Sequence, residues 1–467
     1  MSEVTDISNI GSRTIAKEVY FLGVAGIGMS ALARYFLSKG AKVSGYDKTV
    51  TSFSKQLEAE GIDIHYTDDV KLANTNADLV IYTPAIPKDH TEFQYFLNAK
   101  VNLKKRSEVL GMITKDRFNI SVAGTHGKTT TSAMVAHLLQ HGGVGCTAFL
   151  GGIATNYNSN FMSSENQVYV VEADEYDRSF LQLFADMAII TSMDADHLDI
   201  YGTSEKIQDA FVDFAKQIKP TGKLIAKLGL DRLKEVECKN VSWYDLKNPL
   251  ADIYCKEIRI VEGAYEMDVQ YCNELIANVQ LSMGGSHNIE NLLAAVAVAK
   301  EMKLSNKEIC AAVKDFKGVK RRFEKIYADE QTVLIDDYAH HPEELRTLIA
   351  GVKELYANRK CMVVFQPHLF SRTKDHAVGF AEVLSIPDET LLLPIYPARE
   401  LPMEGVTSEM IAEKMSNVRA VIGADQLLKN LSAAISKATE PLVIVIAGAG
   451  DIDTLVQPLK SMLEAKN

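Results

Sequence analysis

The feature that most constrains this chain is the run Gly124-Thr125-His126-Gly127-Lys128-Thr129-Thr130-Thr131. It follows the apolar stretch Phe118–Ala123 and opens a helical pattern. A strand that turns through glycines into a helix points backbone N–H groups at one spot, where they cradle phosphates. Lys128 can then reach terminal phosphates and Thr129 can ligate Mg²⁺. The full phosphate-loop pattern asks for glycine five residues before Gly127, where Val122 stands, so this is a shortened variant. The surrounding segment is therefore expected to be an α/β, ATP-type domain.

Two acidic runs support this. Glu172, Asp174, Glu175 and Asp177 follow the apolar Val168–Val171. Four carboxylates this close repel one another unless cations sit among them, and hard oxygen ligands suit Mg²⁺. Asp194-Ala195-Asp196-His197-Leu198-Asp199 follows the expected strand Met187–Thr191. His197 reads equally as a structural histidine or as a ligand to a metal or γ-phosphate.

With 467 residues the chain is too long for one ordinary core, and about three domains are expected. Three α/β segments are visible. The first opens with Val19–Leu22, the glycine loop Gly23-Val24-Ala25-Gly26-Ile27-Gly28 and a helix from Met29 to Ser38, then strands at Lys42–Tyr46 and Leu79–Tyr82. Its glycine spacing is not that of a dinucleotide fingerprint, yet Asp47 stands where a ribose-binding acid would be, so a nucleotide diphosphate is expected there. The second segment adds Lys223–Ala226, short alternating strands over residues 250 to 283 that suggest a mixed sheet, and helices Ile289–Met302 and one begun by the capping pair Ser305 and Glu308. The third starts near Gly318–Arg322. Its strands, Val333–Ile335, Met362–Phe365, Leu391–Leu393 and Leu442–Ile446, run into polar loops at Asp336-Asp337-Tyr338, Gln366-Pro367-His368, Pro394–Glu400 and Gly448–Asp451. Ligands bind beyond the carboxyl ends of such strands.

Composition narrows the class. A net charge of −11 disfavours nucleic acid and anionic lipid as partners. The six cysteines have no paired spacing, which argues for free thiols. Met1 to Ala16 lacks a signal-peptide core and no apolar run is long enough to span a bilayer, so a cytoplasmic protein is expected. The pair His340-His341 lacks the spacing of a zinc helix, and no nucleophile elbow is present.

Taken together, Gly26–Ser30, Gly124–Thr131, Glu172–Phe180, Asp194–Tyr201, His287-Asn288, Arg321–Phe323, Asp336–Pro342 and Phe365–Thr373, in this order, resemble the Mur ligases, peptidoglycan-precursor enzymes related to folylpolyglutamate synthetase. The resemblance implies an N-terminal Rossmann-like domain over 1–116 that binds a UDP-substrate, a central ATP-binding domain over 117–318 with a mixed sheet, and a C-terminal Rossmann-like ligase domain over 319–467 that closes over both. It implies ATP and Mg²⁺ as cofactors and ligation of L-alanine to the carboxylate of UDP-N-acetylmuramate, with no nucleic acid and no membrane insertion. ATP contacts would fall on Gly124 to Thr130, Asn288, Asn291, Arg322 and Asp337, and metal contacts on Thr129, Glu172 and His197. UDP-substrate contacts would fall on Gly26, Ile27, Gly28, Met29, Ser30, Asp47, Thr83 and Arg106. His368 and Arg372 would meet the amino acid or substrate carboxylate. The catalytic set would be Lys128, His197, Arg322 and Asp337, with His340 and His341 as candidates for accepting the amine proton.

Three other readings stand beside this one. They are a ligase of the same family acting on murein tripeptide, an NAD-dependent dehydrogenase built on the first segment, and a non-catalytic nucleotide sensor. The dehydrogenase leaves Gly124–Thr131 unexplained.

Overall fold

The computed structural model describes residues 16–99, 101–398 and 400–465. The leader reading for Met1 to Ala16 therefore falls almost wholly outside the described residues, and the loop Pro394–Glu400 contains one such position, Arg399. Three sheets form. In chain order the first segment gives β1 (Glu18–Leu22), α1 (Ile27–Ser38), β2 (Lys42–Tyr46), α2 (Ser52–Ala59), β3 (Asp63–His65), β4 (Leu79–Tyr82), α3 (Thr91–Asn98), β5 (Leu103–Lys105) and α4 (Arg106–Thr114). Its five strands lie in the order β3-β2-β1-β4-β5, all parallel. Helices cover such a sheet on both faces, so Val19 to Leu22 are all fully buried.

The second segment gives β6 (Phe118–Ala123), α5 (Lys128–His141), β7 (Thr147–Ala154), β8 (Ser159–Met162), β9 (Val168–Glu172), β10 (Met187–Ile190), α6 (Leu198–Tyr201), α7 (Ser204–Lys216), β11 (Lys223–Lys227), β12 (Val241–Tyr244), β13 (Ile253–Val261), β14 (Ala264–Tyr271), β15 (Glu274–Leu281), α8 (Ser286–Glu301) and α9 (Asn306–Asp315). The sheet order is β15-β14-β13-β12-β11-β10-β6-β9-β7-β8. It is mixed, since β8 runs antiparallel to β7 while β6 is parallel to β9 and β10. The strands expected to be short over 250 to 283 are instead nine, eight and eight residues long. The capping pair before α9 forms: Ser305 N donates to Glu308 Oε2 at 2.8 Å and Glu308 N to Ser305 Oγ at 3.3 Å.

The third segment gives β16 (Glu324–Ala328), β17 (Thr332–Asp337), α10 (Pro342–Leu355), β18 (Lys360–Phe365), α11 (Phe370–Leu384), β19 (Glu389–Leu392), α12 (Glu409–Ala412), β20 (Val418–Val421), α13 (Ala424–Lys437), β21 (Leu442–Ala447) and α14 (Val456–Glu464). Here the order is β16-β17-β21-β18-β19-β20, parallel except for β16. Its core is Leu334, Met362, Val364, Ile444 and Ile446 with helical residues such as Leu427 and Leu459.

By packing, the chain forms two compact units. One runs through Lys256 and adds Val269–Ile276 and Glu290–Ala312; the other holds Glu257–Asp268, Ala277–Ile289 and the chain from Val313 onward. The first unit contains the first sheet and most of the second, joined by one hydrophobic cluster in which α1 packs against the β7–β8 hairpin. There the Tyr35 ring stands 5.5 Å from Phe149 and 6.2 Å from Phe161. No described helix is long and apolar enough to cross a membrane.

Candidate active site

In the first unit the phosphate loop is a short bridge from β6 to α5. Val122 is a buried strand residue, so the turn begins only at Gly124, which accounts for the shortened motif. Gly127 has φ +79° and caps α5, and a Cβ there would stand 2.4 Å from Asn291 Oδ1 on α8. Only glycine fits both the backbone and the close approach. The end of β10 holds the loop from below. Thr125 N donates to Ser192 O at 3.3 Å, His126 N to Ser192 Oγ at 2.9 Å, and Thr125 Oγ1 to Asp194 O at 3.1 Å. Thr130 lies buried in the first turn of α5.

The charged groups at this loop form two sets. Lys128 Nζ is 2.9 Å from the buried Glu175 carboxylate and donates to Gly124 O at 2.8 Å. Thr129 Oγ1 donates to Glu172 Oε1 at 3.0 Å, and Gly151 N to Glu172 Oε2 at 2.9 Å. Burial pushes the pKa of both Glu172 and Glu175 up, against the pull of Lys128. His197 Nε2 lies 3.7 Å from Glu175 Oε1 and 3.7 Å from Asp196 Oδ2. Glu175, Asp196 and His197 thus offer three converging ligand atoms, while Thr129 and Glu172 offer a second, all-oxygen pair. Oxygen-rich donors next to a phosphate loop fit a hard divalent cation. His197 also takes φ +49°, a left-handed conformation uncommon for a residue with a side chain.

A cleft of about 380 Å³ lies between the first sheet and the end of β9 at Glu172, still within the first unit. Gly26, Ile27, Gly28, Met29, Thr83 and Arg106 line it from the first segment, and Gly151, Glu172 and Asp174 from the second. Arg106 lies over the start of α1: a Cβ on Gly28 would meet its Nη1 at 2.8 Å. Its Nη2 donates to Asp174 Oδ2 at 3.3 Å. A helix N-terminus beside a guanidinium is an anion site. Two expected contacts sit differently. Asp47 Oδ2 accepts from Ala25 N at 2.8 Å and so shapes the glycine loop, and Ser30 is buried, donating its hydroxyl to Ile27 O at 3.0 Å.

The second unit holds Asp337 at the carboxyl end of β17 and His368 and Arg372 just beyond β18, with Arg322 ahead of β16 and Asn288 on α8. Asp337 accepts from Phe323 N at 2.6 Å and Ala339 N at 2.7 Å, and it is pushed up by burial, with Arg322 acting against that. The Arg321 and Arg322 guanidinium groups lie 5.0 and 5.7 Å from the centre of the Tyr338 ring. Asn288 Nδ2 donates to Gly284 O at 2.7 Å. Burial, and then Arg322, bring His287 down to about 4. His368 stacks on Tyr396 at 5.7 Å, faces His340 at 6.0 Å, and its Nδ1 is 3.4 Å from Arg372 Nη1. His341 caps α10 and packs against the His376 ring at 4.6 Å.

Sequence reading missed three features. Glu175 is the partner of Lys128; Gly151 lies against the Glu172 carboxylate; and Arg321 stands 3.8 Å from the buried Asp336. A doubled arginine and a doubled aspartate signal the last pair, but not which member pairs with which.

Comparison with known proteins fixes the family. Residues 18–118 match the model described as Mur ligase family, catalytic domain. Residues 122–299 match the Mur ligase middle domain, and 321–450 the glutamate ligase domain of Mur ligases. The chain belongs to the Mur ligase family. This Mur ligase is 48% identical over 452 residues to the UDP-N-acetylmuramate–L-alanine ligase of Flavobacterium johnsoniae, covering 96% of this chain and 98% of that relative. It is 46% identical over 453 residues to the enzyme of the same name from Parabacteroides distasonis, covering 95% and 97%. Among solved structures it is similar to the UDP-N-acetylmuramate–alanine ligase of Thermotoga maritima, with a TM-score of 0.81, 26% identity, and 96% and 100% of the two chains covered. A murein peptide ligase of Psychrobacter arcticus gives a TM-score of 0.66 at 25% identity, covering 96% and 98%. Family membership excludes the dehydrogenase reading.

Proposed function

We propose that this Mur ligase joins L-alanine to the carboxylate of UDP-N-acetylmuramate at the expense of ATP, an early step of peptidoglycan precursor synthesis. The observation that carries the reading is the continuous cleft from the start of α1 and Arg106 to Glu172, beside the phosphate loop. It leads from the start of α1 and Arg106 to Glu172, whose carboxylate accepts from Thr129 of the phosphate loop, which suits an acid that must meet the γ-phosphate.

A carboxylate does not acylate an amine in water, because its oxide is a poor leaving group. Transfer of the γ-phosphoryl group to that oxygen gives an acyl phosphate. The amine of L-alanine attacks the acyl carbon, and the tetrahedral intermediate collapses to the amide and inorganic phosphate. In this reading the loop amides from Gly124 to Thr130 hold the ATP phosphates, and Lys128 moves from Glu175 to the transferring group, whose charge it offsets. Thr129, Glu172 and His197 would hold Mg²⁺, which supplies further charge neutralisation when bound. Asn288, Asn291, Arg322 and Asp337 complete the nucleotide site, and His368 with Arg372 receives a carboxylate. The domain roles follow: 1–116 for the UDP-substrate, 117–318 for ATP, 319–467 for ligation. We infer a cytoplasmic location from the need for ATP.

The test is product mass after incubation with ATP, UDP-N-acetylmuramate and either L-alanine or L-alanyl-γ-D-glutamyl tripeptide. The alanine adduct is expected. Product with tripeptide alone would give the chain the recycling activity instead.

A further inference from the structure

The cleft is walled on one side by the first turn of α1, and that turn is held from the opposite domain by one side chain. Asn160 lies on β8 and is fully buried. Its Nδ2 donates to Ile27 O at 2.5 Å and to Ser30 Oγ at 2.9 Å. Its Oδ1 accepts from Arg34 Nη1, and Arg34 is gripped in turn by Glu60, with Nε and Nη2 each 2.7 Å from a carboxylate oxygen. The amide therefore makes one hydrogen bond through its acceptor and two through its donor.

We propose that Asn160 is a positioning residue for the UDP-substrate site. It fastens the Ile27–Ser30 turn, in which Ile27, Gly28 and Met29 line the cleft, to the hairpin that carries Gly151. The two contacts do different work. The Arg34 contact joins the domains, and the donor contacts set the height and rotation of the α1 N-terminus. Ile27 O and Ser30 Oγ are both on that first turn, so losing the donor frees the end of the helix that faces the anion. Helix N-terminal charge falls off within one turn, so a small displacement there weakens anion binding specifically. The ATP loop is fastened by other residues, Ser192 and Asp194, and is left in place.

The proposal rests on the assignment of the cleft to the UDP-substrate. Asn160→Asp keeps an acceptor for Arg34 and removes the donor; Asn160→Ala removes both. Both variants should raise KM for UDP-N-acetylmuramate about tenfold, the worth of one to two net hydrogen bonds. The KM for ATP and kcat should stay within threefold of wild type. Thermal midpoints with ATP bound are recorded for each variant, and Asn160→Asp should lose less than Asn160→Ala. A KM for UDP-N-acetylmuramate in Asn160→Asp equal to wild type, or a rise matched in the KM for ATP, would overturn the proposal and leave a structural strut. A wild-type rate that does not saturate with UDP-N-acetylmuramate would overturn the cleft assignment, and the proposal with it.

Discussion

The Lys128 ammonium lies 2.9 Å from the carboxylate of Glu175, a residue with no solvent-exposed surface, and 2.8 Å from Gly124 O. The lysine of the phosphate loop is thus held over the loop by a buried acid. Lys128→Ala should lower kcat for ligation by ~10²–10³, the usual cost of removing a preorganised charge-stabilising group. It also strands Glu175, so the folded protein should lose some stability near neutral pH. Steady-state ligation and a thermal melt check both; ligation within threefold of wild type would remove Lys128 from the reaction.

Glu172→Gln should raise the Mg²⁺ concentration needed for half-maximal rate while leaving the KM for the UDP-substrate close to wild type. The carboxylate lies on Thr129 Oγ1 and Gly151 N, and an amide oxygen is a poorer ligand for a hard cation. A Mg²⁺ titration of the rate reads this directly, and an unchanged titration would show that Glu172 holds no metal.

Gly151→Ala should retain the fold and lose activity. A Cβ at this position would lie 2.4–2.6 Å from the Glu172 carboxylate, which must then turn away from Thr129. Displacing a reacting centre by about 1 Å costs on the order of 10²-fold in rate. Circular dichroism verifies the fold, and a variant active within threefold would show that Glu172 has room to move.

The Glu92 carboxyl is buried against Tyr20, which donates to its Oε2 at 2.5 Å, and burial raises it to about 7. The unfolded chain releases this proton near 4.5, the folded chain only near 7. Between those values the folded state binds more protons, so stability falls as pH rises through the window. Glu92→Gln, neutral at every pH, should remove that slope. Denaturant midpoints at pH 5 and pH 8 test it: the wild type should lose ground relative to the variant on going to pH 8, and parallel changes would show an ordinary carboxyl at this position.

Much of the fold was legible because each sheet is built from apolar runs ended by unusual loops. β2, β4 and β6 lie at the bounds read from sequence, each a short stretch of mostly apolar or small residues that ends at a loop of special composition. The hairpin β7–β8 was not legible. Sequence reading places no strand there; Gly151-Gly152 and the Asn-rich stretch Asn156–Asn160 carry little strand signal, and pairing with β9 and packing against α1 hold the hairpin. Asn160 likewise carries no sequence signal: its partners Arg34, Ser30 and Ile27 lie 126 to 133 positions away along the chain, and they meet only after the domains pack. Among the acids Glu172 to Asp177, the choice of Glu175 as the lysine's partner depends on the turn in which Asp177 and Arg178 take φ +51° and +56°. Composition does not specify that turn.

The central claim is that one cleft couples ATP to the union of two substrates. The direct measurement is phosphate release from ATP with Mg²⁺, adding UDP-N-acetylmuramate and L-alanine singly and then together. The account predicts sustained release only with both present, one phosphate for each amide formed. Release at the same rate with neither substrate, or with L-alanine alone, would contradict it.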